Sequence, residues 1–330
     1  MDDRQEAATS DQSAWFRESD CRLDEFVALL GARKESAPRL AADIVRGVPV
    51  YECSELDRKL DAAVSRAQLL AEWAAILRNG AGVFVLRSAF ADTRGVDDAT
   101  AIFESIIDDE RATGSKGDHF AQAGANDRIW NAQEKLCLRA PETFIEYFSN
   151  RMLTTAAEAW LGPNFQMTSQ VNVVRPTGEA QQAHRDYHLG FQTAETATRY
   201  PAHVHEMSAF LTLQGAVAHC DMPVESGQTK LLPYSQRYAK GYAAWRRPDF
   251  RAYFENNFVQ VPLTKGDAIF FSAVPCRWRE PNNRRSAHGE SPADFFRLRT
   301  GDGGGQSNRY VRDNLSHVAE SPQRRPDNCS

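Results

Sequence analysis

Along Met167-Thr168-Ser169-Gln170-Val171-Asn172-Val173-Val174 apolar and polar side chains alternate, the period of a strand with one buried face. The segments 207–217, 228–232, 258–263 and 267–271 carry similar short β signatures, broken by Pro and Gly turns. With 165–174 they predict a β sandwich or jelly roll over about 164–273. An amphipathic insert at 236–256 separates two of these segments. Upstream the period changes. Residues 57–77 carry apolar positions at helical spacing and stop at Asn79-Gly80, a C-cap signal. Residues 97–107 and 142–161 behave alike, the second ending at Gly162-Pro163. Gly82-Val83-Phe84-Val85-Leu86 reads as a buried strand. The fold class is α+β: a helical layer over about 19–160 on a β core, one domain over 19–273, preceded by a polar segment, 1–18, expected to fray.

The last stretch breaks the pattern. Residues 277–330 hold ten arginines and no lysine, whereas seven lysines precede them. Gly301-Asp302-Gly303-Gly304-Gly305 is nearly all glycine, and no helix or strand period stands out. On composition, 274–330 is expected to be a disordered tail. The remaining composition is that of an ordinary globular chain: 330 residues, 42% apolar and 25% charged, with a net charge of −5. There is no basic surplus, so nucleic acid is not an expected partner. Six cysteines (21, 53, 137, 220, 276 and 329) show no paired spacing, as expected for reduced thiols in a cytoplasmic setting. The N-terminus is acidic and polar, no run approaches the length of a membrane span, and no membrane partner is expected.

Chemistry enters at His184-Arg185-Asp186. In extended chain, His-x-Asp sets an imidazole and a carboxylate on one face. That is two-thirds of the two-His-one-carboxylate set that holds non-haem Fe(II) with open positions for oxygen and a co-substrate. The bland alternative is a surface ion pair in a polar turn. Gln182, Tyr187 and His188 flank the pair and line a substrate pocket or merely pack its rim. Gln170, on the strand before it, is a candidate contact of the co-substrate. His203-x-His205 with His219 offers either a second metal cluster or ordinary surface and strand residues.

Three downstream segments raise the value of the pair. Residues 208–213 read as an apolar strand. Then come Glu225-Ser226-Gly227-Gln228-Thr229-Lys230-Leu231-Leu232-Pro233-Tyr234-Ser235 and Leu263-Thr264-Lys265-Gly266-Asp267-Ala268-Ile269-Phe270-Phe271. This order resembles the phytanoyl-CoA dioxygenase family of Fe(II)/2-oxoglutarate oxygenases, with its H-x-D, its G-x-T-x-x-x-P-G-S-H segment and its G-D-x-x-x-F strand. Gly227, Thr229, Pro233 and Ser235 match the second segment, but Tyr234 and Gln236 stand where it has Gly and His. Gly266, Asp267 and Phe271 match the third. The resemblance implies a double-stranded β-helix, a cupin-like jelly roll with a helical N-terminal layer. It implies iron on His184 and Asp186, 2-oxoglutarate as co-substrate, O2 and a small organic molecule as reactants, and an arginine on the last core strand to clamp the co-substrate carboxylate. Two alternatives remain: a non-catalytic jelly-roll protein that binds a small molecule, and a cupin-like metalloenzyme without co-substrate.

The family also places a distal histidine just after the G-D-x-x-x-F strand. Here that stretch reads Ser272-Ala273-Val274-Pro275-Cys276-Arg277-Trp278. Cys276 is a poor substitute, His288 lies in the arginine-rich stretch, and Arg284 and Arg285 could mimic the clamp only by chance. A chain lacking both groups is expected to be inactive. Codon arithmetic offers a cause. Taking the second and third bases of each codon with the first base of the next, residues from 274 onward permit the translation FHAGGANQTTVDRRMANLLQIS. It restores a histidine, a Gly-x-Asn motif and an arginine. Residues from about 274 onward are therefore expected to be a frameshifted product.

Overall fold

Arg46 and Gly47 both adopt positive φ, 52° and 82°, and this tight turn folds Asp43–Val45 (β1) back onto Val48–Glu52 (β2). The computed structural model describes residues 14–32, 38–113, 126–174, 192–226, 228–272, 277–279 and 291–300. From β2 the chain passes through helices Cys53–Leu60 and Ala63–Arg78 into Val83–Arg87 (β3), which pairs with β2 in parallel, as a helical crossover allows. Helix Arg94–Ala112 precedes Asn126–Trp130 (β4). Helices Ala132–Arg139, Pro141–Phe148 and Arg151–Leu161 then lead to Phe165–Val174 (β5). Helix Ala202–Phe210, Thr212–Ala218 (β6), Thr229–Leu231 (β7), helix Pro248–Asn257 and Ala268–Ser272 (β8) come next. Arg277–Arg279 (β9) and Ser291–Thr300 (β10) come last.

Eight strands form one sheet in the order β1-β2-β3-β8-β6-β10-β5-β4, and β7 pairs with β9 in a second. The large sheet has helices on one face. There Trp73 stacks on Phe84 at 4.9 Å and Phe84 on Phe270 at 5.6 Å, and Val171, Val173, Leu213 and Val217 join the same core. Alternation turns the next residues of each strand to the opposite face. On that face Val83, Val85, Ala216, Ala218, Ile269 and Phe271 pack with Met222, Leu231, Val261 and Leu263. A third cluster joins helix Leu23–Gly31 to helix Pro248–Asn257 through Phe26, Phe250 and Tyr238. No described helix is long and apolar enough to cross a membrane.

The α+β class and the strands at 165–174, 228–232 and 267–271 agree with the sequence pattern. Several boundaries do not. The helix expected at 57–77 breaks at Asp61-Ala62. The one expected at 142–161 breaks at Asn150, whose side chain caps the next helix by accepting from Met152 N at 2.9 Å and Leu153 N at 3.2 Å. The strand expected at 207–217 begins as helix: residues up to Phe210 belong to helix Ala202–Phe210, whose first turn closes where Val204 N donates to Pro201 O at 3.0 Å. Segment 258–263 contributes two isolated bridges, Val259 to Leu231 and Leu263 to Met222. Within the N-terminal segment expected to fray, Trp15 bridges Pro201.

The tail is described only in part. Residues 277–279 and 291–300, expected to lack structure, are strands; the rest of 274–330 lies outside the described residues. β10 runs antiparallel between β5 and β6, so neither of those strands is an open edge there. Ladder bonds are made by backbone, which this ten-residue stretch supplies at every position but the N–H of Pro292, and Phe296-Arg297-Leu298-Arg299 does alternate. That short alternation is the signal the composition obscured.

Gly266-Asp267, the start of the G-D-x-x-x-F segment, joins the sheet to the helical side. Gly266 has φ +88°, donates its N–H to Ala218 O at 2.9 Å and accepts from Phe90 N at 2.9 Å. A Cβ there would lie 2.7 Å from Phe90 O. Gly266→Ala is therefore expected to lower stability by at least about 1 kcal/mol, the cost of a left-handed residue alone. Thermal unfolding measures it, and an unchanged melting temperature would mean the turn relaxes freely.

Candidate functional site

The inner face of the large sheet grades from apolar to polar. At the β3–β8 side it is lined by Val83, Val85, Ile269 and Phe271. At the β5–β4 side the positions become polar. Gln170 and Asn172 succeed Thr168 at every second place on β5, opposite the face that buries Val171 and Val173. Register sets Trp130 of β4 beside Gln170 and Arg128 beside Asn172. On the other flank, β10 separates Thr168 from Gln214 and Gln170 from Ala216.

These polar groups are deeply placed. Arg128 is 5% exposed, Gln170 and Asn172 8%, Gln214 3% and Thr212 1%. The Arg128 guanidinium lies 5.1 Å from the centre of the Trp130 ring, a cation–π contact. Thr212 Oγ1 has no hydrogen-bond partner among the described residues. Buried polar groups cost free energy unless water, ligand or protein satisfies them. A row of them on one sheet face is suited to a polar small molecule. Gln170, the candidate co-substrate contact, is one of this buried polar row. Arg128, Trp130, Asn172 and Gln214 do not stand out in the sequence, although the alternation that marks Gln170 also marks Asn172.

The other predicted residues fall differently. Gln182, His184, Asp186, Tyr187 and His188 lie outside the described residues, as do Cys276, Arg284, Arg285 and His288. The second metal cluster does not form. His203 and His205 lie on helix Ala202–Phe210, where residues two apart point in different directions. His205 is buried, its Nε2 lying 3.0 Å from Ala197 O. His219 is bonded at both ring nitrogens, Nδ1 to Thr100 Oγ1 at 2.7 Å and Nε2 to the Tyr147 hydroxyl at 2.8 Å. Burial pushes its pKa down to about 3. Among the described residues no three His, Cys, Asp or Glu side chains could jointly hold a metal.

The 225–235 segment has a structural task. Tyr234 adopts φ 72° and donates its N–H to Ala81 O at 3.0 Å, a left-handed turn at the place where the family segment has glycine. Gln236 Nε2 donates to Gly80 O at 2.8 Å, docking the turn on the end of helix Ala63–Arg78. Cys21 and Cys53, both buried, are free thiols.

The phytanoyl-CoA dioxygenase (PhyH) family description matches residues 78–274, more than half of the 330. No protein of curated function matches the sequence. Among solved structures, the non-heme alpha ketoglutarate dependent carbocyclase SnoK from nogalamycin biosynthesis is 19% identical, with 73% of this chain and 89% of that one covered and a TM-score of 0.49. The epimerase SnoN in complex with Fe3+, alpha ketoglutarate and nogalamycin RO is 18% identical, covering 71% and 84% at a TM-score of 0.47. AviO1 from Streptomyces viridochromogenes Tue57 is 14% identical, covering 71% and 96% at a TM-score of 0.48.

Proposed function

The chain belongs to the phytanoyl-CoA dioxygenase family, and from this membership we propose that it is built as an Fe(II)- and 2-oxoglutarate-dependent dioxygenase of a small organic substrate, left incomplete by its own C-terminal residues. The family match over 78–274 carries this reading. It takes in His184-x-Asp186, the 225–235 segment and Gly266-Asp267 in family order, and it ends before any distal histidine. In this reading the two sheets are the walls of a jelly roll. His184 and Asp186 are the iron ligands, Gln170 touches 2-oxoglutarate, and Gln182, Tyr187 and His188 line the substrate pocket. The reactants are O2 and a small molecule in a cytoplasmic setting, with neither nucleic acid nor membrane as partner.

The residues present do not fit a complete iron centre. β8 continues into Ala273-Val274-Pro275-Cys276, with no imidazole. The described histidines 205 and 219 are committed to other bonds. Two ligands without the third lose a bond and the facial geometry. Calorimetry is therefore expected to find weak Fe(II) binding that disappears in His184→Ala, and little succinate from 2-oxoglutarate. Tight iron binding that survives His184→Ala would remove the ligand assignment.

The buried polar row favours a second reading. Arg128, Gln170, Asn172 and Gln214 could hold a polar small molecule in a non-catalytic jelly roll that needs no metal. Ligand binding in the presence of a chelator would favour that reading. Iron binding indifferent to 2-oxoglutarate would instead point to a cupin-like metalloenzyme without co-substrate.

A further inference from the structure

The mismatch between the family and the C-terminal residues has a place in the fold. The family match stops at 274, two residues beyond Ser272, the last residue of β8. Lysine disappears from the sequence beyond the same point, and ten arginines take its place. The backbone nevertheless supplies a strand between β5 and β6, so the slot persists while its residues change character. Asp294 shows this best. It pairs with Val171 on one side and Val217 on the other, which are 1% and 0% exposed in the helix-side core. The register thus sets an aspartate level with two buried valines.

We infer that residues from about 274 onward are translated in a reading frame displaced by one nucleotide from the frame that encodes the family fold. The inference rests on the proposed oxygenase function and explains why its site is incomplete. The genetic code constrains the displaced frame sharply. Trp278-Arg279 yields Gly whichever arginine codon is used. Glu280-Pro281 yields only Asn or Ser. Asp294-Phe295 yields only Ile or Thr, at the register position between Val171 and Val217. Pro275-Cys276 yields His only if the proline codon is CCA. The permitted translation FHAGGANQTTVDRR thus carries a histidine at the place of Pro275 and an arginine eleven positions later.

The coding DNA of the locus and of related strains tests the inference directly. Expected is CCA at codon 275 and a displaced frame open past codon 300 that continues the family pattern. A different third base at codon 275, or a stop in the displaced frame before codon 300, would overturn it. So would related strains that preserve the arginine-rich frame. The protein provides a separate readout. A chain in which residues 274–330 are replaced by the displaced translation is expected to melt higher than the present chain and to bind Fe(II) at least about 100-fold more tightly, since even outer partners of ligands change affinity by up to that much. A higher melting temperature without iron binding would retain the frame inference and remove the functional reading. An equal or lower melting temperature counts against the displaced frame.

Discussion

Asp267→Ala is expected to remove about 3–5 kcal/mol of stability, the usual cost of breaking a buried ion pair by deleting one partner. Asp267 is fully buried. Its carboxylate accepts from Arg87 Nη1 at 2.5 Å, Ser88 N at 2.8 Å, Thr264 N at 2.8 Å and Thr264 Oγ1 at 3.0 Å. Alanine would leave all four donors without that acceptor, two of them backbone N–H groups at the junction of β3 and β8. Asp267→Asn keeps the shape but loses the charge, and is expected to cost less, about 1.5–3 kcal/mol. Domains have only about 5–15 kcal/mol in total, so the alanine variant should be close to unfolding at 37 °C. Urea unfolding of the three chains at pH 7 decides it. A loss below about 1 kcal/mol in Asp267→Ala would show that this motif aspartate is not a structural keystone and reopen a direct role for it at the site.

The same aspartate shows what sequence could and could not convey. Gly266-Asp267 was legible as a family signature, but its task was not, because its four donors come from segments up to 180 residues away in the chain. Strands with long alternation, such as Phe165–Val174, are legible to their ends, since periodicity is a local signal. β1, β2 and β4 are not: three to five residues are too few to establish a period, and they pair only through tertiary context. Helix Ala202–Phe210 reads in part as a strand because a short apolar run fits either element. At the site, Gln170 could be found by alternation, whereas Arg128 could not, because its face is set by pairing with β5.

Lowering the pH from 7 to 4.5 is expected to cost the fold about 3 kcal/mol through His219 alone. The ring closes the end of β6 against helices Arg94–Ala112 and Pro141–Phe148 and is 4% exposed. Thr100 Oγ1 donates to Val96 O at 2.7 Å, so it accepts from Nδ1–H of His219, and Nε2 is left to accept from the Tyr147 hydroxyl. This tautomer is satisfied when neutral; a proton on Nε2 would face the hydroxyl that now donates to it. Desolvation therefore holds the folded pKa at about 3, against a weaker opposing pull from Asp97. The unfolded chain takes up its proton near the ordinary value of about 6.5. Because the folded pKa is the lower one, the contribution is complete above about pH 6.5. It is lost at about 1.4 kcal/mol per pH unit as pH falls towards about 3. His219→Gln should be less stable at pH 7 yet lose less between pH 7 and 4.5 than the parent chain. Paired urea titrations at the two pH values give the difference, which cancels the carboxylates common to both chains. Equal pH slopes in parent and variant would mean that His219 takes up its proton in the folded state near the ordinary value.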